Sequence, residues 1–337
     1  MALRLIEMVL PEDVGNYAHE YLREQRDLPI LRFWSQHLAS GEVSVSVLLD
    51  AEHAEAVLDL LDNNYGSIEG FKAILLPVEA SLPRPEPDEE VPAKAEPTGK
   101  GSSRRISREE LYFDVVDATK LSQVYIAMVL LSAIVASIGV LRDNLAVVIG
   151  AMVIAPLLGP SVALSLATTL GDGNLARTAL KASAVGIGLT LALSFTVGFF
   201  LDVDPTIHEI ASRTDVGLSD IALALAAGAA GALAFTSGVP STLVGVMVAV
   251  ALLPQLVTCG LLLGSNFLQL AWGTLLLFLT NFIAINLSGV ACFLSQGVSP
   301  RDWGEADKAR KGATKMILLW FTLLFALVAI IVQSQGG

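Results

Sequence analysis

The side chains that could do chemistry in the most apolar part of this 337-residue chain are few, and they are neutral. Ser161, Ser165 and Thr168 are spaced to share one helical face, Gln255 and Thr258 follow Pro254, and Asn281, Asn286 and Ser288 come further on. Beside them stand residues that release backbone groups: Pro156 and the Gly159-Pro160 pair in one stretch, Pro254 in another. Proline has no N–H and its ring clashes with the preceding turn, so carbonyls upstream lose their helical partners. Amides, hydroxyls and freed carbonyls can hold a neutral or zwitterionic solute, or a small ion through dipoles. The amino end of a half-helix would favour an anionic group.

The same set cannot run acid–base or nucleophilic chemistry. Asp143 and Asp172 sit at the ends of apolar segments, where solvation explains them, and no chain of buried Asp, Glu or His offers a proton relay. The expectation is therefore a non-enzyme. No cofactor is implied. Cys259 and Cys292 lie far apart without Cys-x-x-Cys spacing, and His19, His37 and His53 fall on different elements, so no metal is assigned. For the serines and threonines the plain reading is interhelical hydrogen bonding, worth about 0.6 kcal/mol per contact. Pro156, Gly159, Pro160, Ser161, Pro254, Gln255, Asn281 and Asn286 are the candidate substrate-path residues.

The stretch that must position the first group is Asn144 to Asp172, free of charge until its last residue. The 27 residues from Asn144 to Leu170 exceed the roughly 20 that cross a bilayer core, and Pro156 and Gly159-Pro160 fall near their middle. Two readings meet it: a kinked helix packed against neighbours, or a broken span whose free backbone groups face protein or a water-filled cavity. Ser241 to Gly264 resembles this stretch. A shift of 95 positions pairs Gly150 with Gly245, Met152 with Met247, Val153 with Val248, Leu157 with Leu252 and Leu158 with Leu253, and brings Gly159 onto Pro254.

Apolar windows set the frame. Spans are expected over 121–141, 144–170, 182–201, 219–236, 241–263, 267–294 and 316–332, seven in all. Arg104, Arg105, Arg108 and Lys120 precede the first, Arg177 and Lys181 separate the second and third, and Arg301, Lys308, Arg310, Lys311 and Lys315 precede the seventh. The positive-inside rule makes that common side cytoplasmic, which leaves the N-terminus inside and the C-terminus outside. A unit of three spans is odd, so a second copy must be inverted. The expected architecture is repeat 1 over 121–201, an acidic external loop over 202–218, repeat 2 over 219–294, a basic cytoplasmic loop over 295–315, and a last helix with its tail over 316–337. Inverted repeats with interruptions at Pro156 to Ser161 and Pro254 to Gln255 are the pattern of many secondary transporters.

With 53% hydrophobic and 16% charged residues and a mean hydropathy of +0.64, the chain reads as an integral membrane protein whose first partner is the lipid bilayer. Residues 1–120 hold 12 Lys/Arg against 23 Asp/Glu, a net of −11, whereas 121–337 hold 9 against 10. The acidity belongs to the N-terminal part and argues against nucleic acid. Residues 1–80 read as a ferredoxin-like α/β domain in the order strand, helix, strand, strand, helix, strand, with Val43, Val45, Val47 and Leu49 alternating toward one buried face. The start of the chain lacks a secretory signal pattern, so this domain is expected to be cytoplasmic. A Pro/Glu-rich disordered linker follows over 81–103, then an amphipathic juxtamembrane helix over 104–120 that Ser107 and Glu110 would cap. Gly139, Gly150, Gly228, Gly231 and Gly245 allow close helix packing within one chain or between copies, which is compatible with a homo-oligomer.

Three strings together carry a family resemblance: REELYFDVVDATKLS from Arg108, the run from Leu131 to Gly139, and VVIGAMVIAPLLGP at Val147 to Pro160. The chain resembles, from about Arg108 to Val332, the domain of unknown function 389 family of prokaryotic hydrophobic membrane proteins. The resemblance implies a multi-span protein of the prokaryotic cytoplasmic (inner) membrane with a small soluble N-terminal region. It supplies no catalytic residues and no substrate. From the residues, the expected function is a transporter or channel for a small solute or ion, with a cytoplasmic domain that regulates or assembles it. The alternative is a scaffold or sensor in which the N-terminal domain binds a ligand or partner.

Overall fold

The computed structural model describes residues 3–24, 29–68, 71–78, 108–214, 216–237, 241–298 and 306–335. The chain divides into two compact units, Met1–Tyr112 and Phe113–Gly337. The expected linker and Ser107 lie outside the described residues.

In the first unit, β1 (Leu3–Pro11), α1 (Glu12–Glu24), β2 (Ile30–His37), β3 (Glu42–Asp50), α2 (Ala54–Tyr65) and β4 (Lys72–Val78) follow the expected order. The sheet runs β2-β3-β1-β4 and every neighbouring pair is antiparallel, the split βαβ arrangement. Period-2 alternation sends Ile6, Met8, Leu10, Val43, Val45, Val47 and Leu49 to one face, where they pack with Ala18, Leu22, Val57 and Leu61. The register aligns Trp34, Ser46, Glu7 and Ile74 in a row on the other face, with Leu48, Leu5 and Leu76 in the next. Glu110, on α3 (Arg108–Asp117), meets the Arg4 guanidinium with both carboxylate oxygens, at 2.8 and 3.0 Å.

The second unit is helical: α4 (Gln123–Leu141), α5 (Leu145–Ile154), α6 (Leu158–Leu170), α7 (Gly173–Phe200), the short α8 (His208–Ala211), α9 (Leu218–Ser237), α10 (Ser241–Gly264), α11 (Leu268–Ser295) and α12 (Ala306–Gln335). Local caps explain several starts. Ser122 Oγ accepts from Tyr125 N–H, Asn144 Oδ1 from Val147 N–H, and Asp172 Oδ1 from the N–H groups of Asn174 and Leu175. Gly171, left-handed at φ 67°, ends α6. Asp143 and Asp172 thus do more than face solvent, since Asp143 Oδ1 also accepts from Glu209 N–H at 2.9 Å. Because Asp172 caps it, α7 begins at Gly173 and carries Arg177 and Lys181 in its early turns rather than in a loop.

Among the described residues, four helices, α4, α7, α9 and α11, are long and apolar enough to cross a membrane, and the α5–α6 pair counts as a fifth candidate. The central one is α11: 78% of its most apolar window is buried, against 28% for α7. Small residues make its contact with α9 close. A methyl group on Gly228 would collide with Ile285 O.

Candidate functional site

The expected break forms, and it is sharp. α5 ends at Ile154, α6 starts at Leu158, and the two axes differ by 56°. Pro156 explains this: it drives Ala155 out of the helical region, to φ −67° and ψ 122°, and removes a donor. Leu157 occupies the cap position of α6 without a side chain that can accept, and Pro160 has no N–H. The amino end of α6 is therefore uncapped by its own sequence.

A narrow cavity of about 10 Å³, near the minimum for one water molecule, adjoins this first turn. Leu157 at the α6 cap and Pro160 and Ser161 within α6 line it, with Tyr125 from α4, Ser183 from α7, Leu252 and Leu256 from α10, and Phe278 and Phe282 from α11. Tyr125 Oη donates to Ala182 O at 3.0 Å and Ser161 Oγ to Leu157 O at 3.0 Å. Ser183 differs. Its Oγ is buried, on a residue 7% exposed, and has no hydrogen-bond partner.

The second expected interruption does not form. α10 runs through Pro254 as continuous helix, so Pro254 to Gln255 is not a break. The physical reason lies in the neighbouring amides. Pro254 cannot donate to Val250 O, and Gln255 Nε2 donates to that carbonyl instead, at 3.4 Å. From α11, Asn281 Nδ2 donates to Ala251 O at 2.9 Å. Both side chains keep an unpartnered buried oxygen, Gln255 Oε1 and Asn281 Oδ1. The first interruption is also narrower than Pro156 to Ser161, because Ser161 lies within α6.

The other candidates divide between the cavity and packing. Pro160 and Ser161 line the cavity, and so do Leu252 and Leu256, which flank Pro254 in sequence. Gly159 turns to a different neighbour: an added Cβ would come 2.5 Å from Ala118 O, so its lack of a side chain permits a close backbone approach. Asn286 joins α11 to α6. Its Nδ2 donates to Phe282 O at 2.7 Å, and Ser165 Oγ lies 3.1–3.3 Å from Ser161 O, Asn286 O and Asn286 Oδ1, which share its one proton. Thr168 Oγ1 accepts from Trp320 Nε1 at 3.2 Å, which ties α12 to α6. Tyr125 and Ser183 were not expected in a site. Polarity within the first and third spans, set beside the break, is the signal that could have found them.

Residues 152–287 match the profile of the family described as Domain of unknown function (DUF389). An uncharacterized protein of Methanocaldococcus jannaschii is 36% identical over 333 residues, 98% of this chain and 99% of that protein. No solved structure matches the chain.

Proposed function

The chain belongs to the Domain of unknown function (DUF389) family, and from its site we propose that it is a membrane transporter or channel for a small solute or ion. One observation carries the proposal: a helix pair bent by 56° within an apolar stretch whose broken turn adjoins a narrow, partly polar cavity. Irregular backbone at membrane depth is tolerated where it is covered by protein or lines an aqueous space, and transporters use it to meet their substrates. A simple anchor has no need of it.

In this reading α10 and α12 also span, which makes seven. The N-terminus is cytoplasmic, the C-terminus is external, and the membrane is the prokaryotic cytoplasmic one. α4, α5–α6 and α7 form one unit, and α9, α10 and α11 form an inverted second one. The correspondence supports this reading in element order and in the 95-residue sequence shift, not in a second break. The two units meet at the cavity, where α6 and α7 face α10 and α11. The cytoplasmic domain regulates or assembles the conduit.

A second reading, a membrane scaffold or sensor, is favoured by one feature of the N-terminal domain. Its outer sheet face leaves Trp34 44%, Ile74 50% and Leu76 39% exposed, a surface suited to a partner.

Flux through purified protein in liposomes separates the two. A panel of small ions and neutral solutes should yield at least one permeant class. Asn281 lies between the lining residues Phe278 and Phe282 in sequence, so Asn281→Leu should lower its flux about tenfold, the equivalent of one lost polar contact. Folding should be retained. Wild-type flux in a folded Asn281→Leu protein removes that residue from the path. No flux of any probe from folded full-length protein refutes the transport reading.

A further inference from the structure

The transport reading leaves the substrate class open, and the geometry of the same cavity narrows it. We infer that the cavity beside the α5–α6 break binds a small monovalent anion, held by the amino end of α6 and by the hydroxyl of Ser183. As a substrate assignment this rests on the transport reading; as a binding site it does not.

The sign of the site is set by which helix end meets it. The cavity wall contains Leu157, Pro160 and Ser161, the start of α6, and no residue of the carboxyl end of α5. A helix presents roughly half a positive charge at its amino end, and α6, at 13 residues, is long enough to develop it. No side chain of the cap residue neutralises that end. A cation would meet a field of the wrong sign, whereas an anion meets the positive end of the α6 dipole.

Ser183 supplies an independent observation. The other two hydroxyls on the wall have committed their protons, Tyr125 to Ala182 O and Ser161 to Leu157 O. Ser183 alone among the three lacks a partner. A buried hydroxyl without one is costly unless something in the cavity completes its bonding. None of the residues lining the cavity is a carboxylate that would repel an anion, and none is a cation that would trap one. Binding by dipoles alone is weak and rapidly reversible, as passage requires. The cavity volume of about 10 Å³ is near the minimum for a single water, so an anion must widen the space to enter. Small anions should therefore outcompete large ones.

The test uses the full chain with sodium chloride, sodium nitrate and sodium gluconate at equal ionic strength. Two quantities are read: thermal stabilisation of the purified protein, and anion efflux from liposomes. Chloride or nitrate should stabilise the protein over gluconate. Ser183→Ala should weaken that response about 2- to 10-fold, the range expected for one lost hydrogen bond, and should lower anion efflux to match. Ser183→Ala deletes an unsatisfied group, so the variant should fold. Identical stabilisation by all three salts, or a response indifferent to Ser183→Ala, overturns the anion site, even where neutral solutes cross and the transport reading stands. Stabilisation that depends on Ser183, with no flux of any probe, upholds the site and overturns the transport reading instead.

Discussion

If Gln255 is present to serve the carbonyl that Pro254 abandons, the two residues must be energetically coupled. Pro254 has no N–H for Val250 O, and Gln255 Nε2 reaches that oxygen at 3.4 Å, a long bond. Leaving a buried carbonyl without a donor costs about 1–3 kcal/mol, and hydrogen bonds between side chains in membrane proteins average about 0.6 kcal/mol. Gln255→Leu should therefore destabilise the wild-type protein by about 1 kcal/mol. In a Pro254→Ala background the new N–H donates to Val250 O along the helix, and the same substitution should cost nothing. Gln255→Leu also removes the unpartnered Gln255 Oε1, but that gain is common to both backgrounds and cancels. The expected coupling is about 0.5–1.5 kcal/mol. Reversible unfolding in mixed detergent micelles, followed by circular dichroism for the four proteins of the cycle, measures it. Equal costs of Gln255→Leu in the two backgrounds, within about 0.3 kcal/mol, would refute the reasoning. Gln255 would then have no part in keeping α10 whole.

Two further outcomes are expected from packing and burial. Gly228→Ala drives a methyl group into Ile285 O, a backbone atom that cannot yield without separating α9 from α11. It should cost about 1–3 kcal/mol or more in the same unfolding assay, and an unchanged midpoint would mean the two helices are further apart than described. In the N-terminal domain, burial, with lesser contributions from the Tyr17 and Tyr21 hydroxyls, pushes the Tyr65 hydroxyl above its ordinary value. The unfolded chain then loses this proton before the folded one does. Stability is fully present below pH about 10, the ordinary tyrosine value, and falls as pH rises through it. Tyr65→Phe should flatten that alkaline decline in chemical denaturation, and a decline unaltered by the substitution would assign it to other groups.

Much of the architecture was legible along the chain, because its causes are local. Alternation of Val43, Val45, Val47 and Leu49 set a strand and its buried face, and caps such as Ser122 and Asp172 set helix starts. The apolar windows marked the helices of the second unit, and Pro156 produced its break from the residues beside it. Seven spans, their orientation and an inverted repeat go further than these local causes and stay within the proposal.

What becomes of the backbone around each proline was decided largely by the tertiary structure. Pro156 and Pro254 have the same local chemistry, yet one ends a helix and the other sits inside one. At Pro254, donors are at hand: Gln255 one residue on, and Asn281 from a helix 30 positions away in sequence. At Pro156 the chain turns instead, Leu157 cannot cap α6, and Ser183 arrives from α7 with its hydroxyl unpaired. A dihedral preference is a property of a residue and its neighbours, so sequence states it. Whether a released carbonyl or N–H finds a partner depends on which side chain another helix delivers within about 3 Å, and only the packed chain determines that.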